Sequence, residues 1–153
     1  MAAYVMKKIV PFLILCLVGG FAGCKSQKIP EDFSLSFGAG GGFTGRWQGY
    51  AIDHLGNLHE WHGFGSQKQT EPIGTLHKKE LQTLYKAFKK AGFQEINRDE
   101  PANMTVQITF SQAGKSHSVR FPMPHQPSTS DEDPIIRLYA LCMQTIQNVP
   151  QKQ

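Results

Sequence analysis

The sequence predicts an α+β domain: an antiparallel sheet of four or five strands, met in the order strand, hairpin, helix, hairpin, helix, with two helices packed on one face. Three observations predict it. Apolar and polar residues alternate with a period of two in residues 33–37 and, more cleanly, in residues 104–110, as in strands with one buried face. Apolar residues recur at helical spacing twice, as Leu81, Leu84, Tyr85, Phe88 and Ala91 and as Ile135, Leu138, Tyr139, Cys142, Ile146 and Val149. The strand–helix–strand spacing of parallel units is missing, which argues against a doubly wound nucleotide-binding sheet.

In chain order, residues 1–23 have the three parts of a secretory signal: Lys7-Lys8, an apolar run over residues 9–18, then small residues. A start at Met6 would put the positive charge at the terminus. The apolar run is about half the roughly 20 residues needed to span a bilayer, so a retained transmembrane helix is not expected. Phe21-Ala22-Gly23-Cys24 resembles a bacterial lipobox, with Phe21 where Leu is usual. The resemblance covers the first 24 residues and implies cleavage before Cys24, acylation of its sulfur and a partner in the lipid bilayer, each chain contributing about 0.8 kcal/mol per buried CH₂. As in other lipoproteins, Lys25 in place of Asp implies the outer membrane, facing the periplasm, in a Gram-negative cell.

Residues 24–32 are then the lipidated cysteine and a short polar tether, and residues 33–150 a single domain. After the first strand the five glycines of residues 38–45 read as a connection that tolerates positive φ or close backbone contact. Residues 46–53 and 58–62 form a hairpin across Asp53-His54-Leu55-Gly56-Asn57. A helix is expected from about His77, with Gly92 as its left-handed terminator and Phe93 folding back over the last turn. Residues 104–110 pair with a return strand carrying His117, Val119 and Phe121 through the turn at Gln112-Ala113-Gly114-Lys115. The proline-rich stretch 122–130 is an extended loop, and Asp133-Pro134 starts the second helix as N-cap and first residue.

Composition narrows the function classes. With 40% hydrophobic and 18% charged residues the chain can bury a core. Losing Lys7 and Lys8 with the signal lowers the formal charge from +4 to +2, too little to argue for nucleic acid. Of three cysteines, Cys16 lies in the signal, Cys24 at its end and Cys142 on an apolar helix face, which leaves no pair for a disulfide.

The glycine stretch is no phosphate loop, because Gly45 is followed by Arg46-Trp47 and a strand pattern instead of Lys-Ser and a helix. No sequence elbow or helix motif of a hydrolase is present, and no cofactor is implied. His54, His59, Glu60 and His62 surround one hairpin and form the candidate metal set, but strand alternation puts His59 on one face and Glu60 with His62 on the other. On the first helix Lys78, Lys79, Lys86, Lys89 and Lys90 fall on one flank, read as a solvated face, with contact to an anionic lipid surface as the sharper alternative. The expectation is a small cell-envelope lipoprotein with a non-catalytic binding or accessory domain, its partner another envelope component such as an envelope protein, or its role that of a structural subunit in a larger envelope complex. The alternative is a metal-binding protein or hydrolase built on the His54/His59/His62 hairpin.

Overall fold

The computed structural model describes residues 28–64 and 67–150. The signal, Cys24 and the first part of the tether lie outside them. The chain forms four strands in succession, β1 (Ser34–Gly41), β2 (Arg46–Asp53), β3 (Asn57–Phe64) and β4 (Gln67–Thr75). Helix α1 (Lys78–Lys90) and a 3₁₀ turn at Phe93–Glu95 follow, then β5 (Met104–Gln112), β6 (Lys115–Pro122) and α2 (Pro134–Gln147). The strands make one open antiparallel sheet in the order β4-β3-β2-β1-β5-β6.

The class is α+β with two helices, and the sheet has six strands where the sequence predicts four or five. The added strand is β4. Its residues from Gln67 to Pro72 are all exposed, so its sequence carries no alternation to betray it. The glycine stretch also departs from expectation: β1 runs on through Gly38 and Gly40 to Gly41, and the connection shrinks to the turn at residues 42–45, where Gly42 and Gly45 take positive φ. Two tryptophans account for the glycines. A Cβ on Gly38 or Gly49 would stand 2.7 or 2.6 Å from Cζ2 of Trp61, and a Cβ on Gly40 would run into the Trp47 ring, so the indoles lie directly on glycine backbone.

One sheet face carries the core. Leu35 and Phe37 on β1, Ile52 on β2, Leu58 on β3, Val106, Ile108 and Phe110 on β5, and Val119 and Phe121 on β6 are all buried. Leu81, Leu84, Tyr85 and Phe88 of α1 and Ile135, Leu138, Tyr139 and Cys142 of α2 join them in one cluster. An aromatic stack sets α1 on the sheet: Phe88 lies parallel to Phe110 at 5.3 Å, and Phe33 meets Tyr85 edge to face. Helix ends follow the sequence. Gly92 has φ +61°, Phe93 is buried against Phe88, and the Asp133 carboxylate accepts the Ile135 N–H.

The other face is polar at β5 and β6, where Thr109 meets Ser118 and Ser111 donates to Ser116 across strands. The two sheet edges differ. On β6, Arg120 donates its backbone N–H to the Arg98 carbonyl and accepts the Glu100 N–H, so residues 98–100 strap that edge. Among the described residues no strand pairs with the outer edge of β4, which is interrupted by Pro72 and by a shift in register that leaves Ile73 as an extra residue.

Candidate functional site

The register defines two ends of the sheet. Ser34 at the start of β1 faces Asp53 and Ser111, so the chain enters at the end that holds the β2–β3 and β5–β6 turns. Gly41 faces Arg46 and Met104 at the opposite end.

At the entry end the β2–β3 turn closes on Asp53, whose carboxylate accepts the backbone N–H groups of Leu55 and Asn57 and the Asn57 amide. Burial alone would raise the Asp53 pKa, but the side-chain and backbone bonds from Asn57 and the N–H of Leu55 hold it below the usual range. The tight turn pushes Leu55 outward, where it is 65% exposed. Asp32 accepts the Gly114 N–H and so ties the incoming chain to the β5–β6 turn; the bonds from Gly114 and Ala113 lower its pKa. Leu76 donates to the Gly56 carbonyl and brings the start of α1 to the same end.

Helix α1 then lies across this end, and the Tyr85 hydroxyl donates to Gln112 at the close of β5. Ala87 and Ala91 face α2, where they share a groove with Pro134, Leu138 and Leu141. The flank turned away from those alanines carries Lys78, Lys79, Lys86 and Lys89, all exposed, with exposed Lys90 completing the row next to the Arg137 groove. Lys78, Leu81 and Gln82 form one bank of an open groove of about 420 Å³, and Lys28, Ile29, His54 and Leu55 form the other. Lys115 stands in the neighbouring turn, so every described lysine except Lys68 belongs to the helix or to this end. The helical period made the lysine flank legible in sequence; Lys28, Lys115 and Leu55 join it only through strand pairing.

The His54–His62 hairpin does not converge. His54 sits in the turn at the entry end; His59 pairs with Ala51 on the face away from the helices; His62, on the helix face, hydrogen-bonds Gln69 at 3.0 Å near the far end. Glu60 lies opposite Tyr50 and Glu71, between the two. Among the described residues, no group of three His, Cys, Asp or Glu side chains is placed to hold one metal ion.

Other polar groups are engaged structurally. His117 Nε2 donates to the Ile96 carbonyl at 2.8 Å. Arg98 bridges Glu100 and Asp133, and Arg120 holds Asp99 through a two-pronged contact. Cys142 is fully buried and its thiol pKa is driven strongly upward by desolvation, so it is inert as a nucleophile.

Sequence reasoning missed the far end. Phe43 at the β1–β2 tip, Phe64 ending β3, Met104 opening β5 and Met123 just after β6 are all exposed there, Phe43 completely. Backbone pairing places them together: Arg46 faces Phe64, Gly41 faces Met104, and Met123 donates its N–H to the Met104 carbonyl. At strand spacing, Phe64 and Met104 are about 14 Å apart. Trp61 is 6% exposed just below this end, with Lys68 Nζ 4.1 Å over its ring and its own Nε1 buried without a hydrogen-bond partner among the described residues. The chain matches no protein-family model and no curated protein.

Proposed function

We propose that this chain is a cell-envelope lipoprotein, held to the bilayer by acyl chains on Cys24, whose domain binds another envelope protein without catalysing a reaction. The outer membrane, facing the periplasm, is the location that Lys25 after the cysteine favours in a Gram-negative source. The observation that carries the binding part is the row Phe43, Phe64, Met104 and Met123. In a domain that buries its other phenylalanines, four large apolar side chains stand in solvent at one end. Arg46 and Lys68 share a groove with Phe64 at one end of the row. Such a cluster fits a protein partner that supplies apolar side chains and acidic groups at its rim.

The polar clusters support the same reading, since Asp53, Asp99, Asp133, Arg98, Arg120 and His117 each have a turn, cap, strap or carbonyl to hold. Two measurements test it. Intact mass of the membrane fraction should show a chain beginning at acylated Cys24, and Cys24→Ser should release the protein from membranes. Cross-linking and co-purification from detergent-solubilised membranes should then capture a partner with the native chain and lose it with Phe43→Ser/Phe64→Ser. Capture undiminished by the double substitution would remove the far end from the proposal.

A further inference from the structure

We infer that the entry end is the bilayer-facing surface of the domain, with Leu55 seated among the lipid headgroups and the α1 lysine flank lying over anionic phospholipid. This rests on the lipid-anchor reading and adds to it an orientation and a lipid preference.

Chain length carries the first step. Lys28 is four residues beyond Cys24, and four extended residues span at most about 14 Å. An anchor at Cys24 therefore holds Lys28 within that distance of the acylated residue, whatever path the tether takes. Lys28 stands on one bank of the groove whose other bank is α1, next to exposed Leu55 and Lys78. This surface therefore stays within about 14 Å of the acylated residue, close enough to reach the headgroups. The eight residues of β1 lead from the entry end to Gly41, a distance of about 23 Å, so Phe43 and Met104 are presented away from the anchor.

Charge carries the second step. Lys28 and Lys78 stand on the two banks of the groove beside the tether, and Lys79, Lys86 and Lys89 continue along the exposed side of the same helix. Glu31, Asp32, Asp53 and Glu80 bring negative charge to the same region, the last three held by backbone N–H groups that fix their positions and leave them ionised, and the lysines of the helix and this end outnumber them. Long lysine side chains reach phosphate while Leu55 projects past the polar turn, the combination that an anionic interface selects.

The test uses the full acylated chain reconstituted into vesicles of phosphatidylcholine, with and without phosphatidylglycerol. A nitroxide is attached in turn to Leu55→Cys and to Phe43→Cys, and its collisions with oxygen and with a water-soluble nickel chelate are measured. In phosphatidylglycerol vesicles the Leu55 label should favour oxygen several-fold more than the Phe43 label, which should remain fully aqueous. Lys78→Gln/Lys79→Gln/Lys86→Gln should return the Leu55 label toward water while the chain stays on the vesicle. A Leu55 label as aqueous as the Phe43 label, or one unaffected by anionic lipid or by the triple substitution, overturns the orientation and leaves the anchor standing. An unmodified Cys24 in the intact mass overturns both. Melting temperatures of the labelled chains confirm that the exposed sites tolerate the probe.

Discussion

Gly49 sits in the middle of β2 with Cζ2 of Trp61 against it, and its missing side chain is what lets the indole reach the sheet. A methyl group there would meet the Phe37 carbonyl as well as the ring, so neither strand nor indole can stay in place. Gly49→Ala should cost about 1–3 kcal/mol. In a Trp47→Phe background, which leaves Trp61 as the one indole, its emission should shift to longer wavelength as the ring gains water. Thermal melts followed by fluorescence would show both effects. A contrasting pair lies two strands away: Ile108 is fully buried in the core, whereas Gln107 is half-buried and points to the polar face. Ile108→Asp should lose roughly 3–5 kcal/mol or fail to fold, because the carboxylate would be buried without a partner, and Gln107→Asp should be much milder. Denaturant titration of the two variants measures the difference.

Among the elements, α2 depends most on a single residue. Burial would raise the Asp133 pKa, but the Ile135 N–H, then the Arg98 hydrogen bond and charge, lower it below the usual carboxylate range. A lowered folded pKa means that Asp133 stabilises the domain fully above its unfolded value of about 3.9 and that this contribution disappears as pH falls through the folded value. Asp99, lowered by its bond to Arg120, and Asp53 act with the same sign. Melting temperature should therefore be flat near neutrality and fall below about pH 4. Asp133→Asn keeps a capping oxygen and removes the charge, so it should flatten part of that fall; Asp133→Ala should also lose about 1 kcal/mol at neutral pH.

The same elements show how far the sequence could be read. Helices α1 and α2, their caps and the inward faces of β5 and β6 follow from periodicity, because each has one buried side. Strand β4 has no such side and Pro72 interrupts it, so nothing in its residues distinguishes it from a loop. The continuation of β1 through Gly38 and Gly40 was hidden for a different reason: those glycines answer to Trp61 and Trp47 on other strands. The lysine flank was visible on a helical wheel, but its proximity to Lys28 and Leu55 depends on where the chain enters the sheet. Strand order decides that, and local sequence does not.

For the molecule as a whole, the unequal sheet edges matter most under the proposed lipid anchoring, in which many copies would share a membrane. Lateral confinement brings anchored domains together in similar orientations, the condition under which an open strand edge templates polymer growth. Residues 98–100 already occupy one edge. On the other, Lys68 and Glu71 place charge along β4, while Pro72 and the extra residue Ile73 break the ladder that an incoming strand would need. The chain should accordingly remain monomeric in vesicles at high surface density, by single-molecule bleaching or cross-linking. Glu71→Val/Pro72→Val should convert the edge into an adhesive one, so that clusters grow with the number of copies per vesicle.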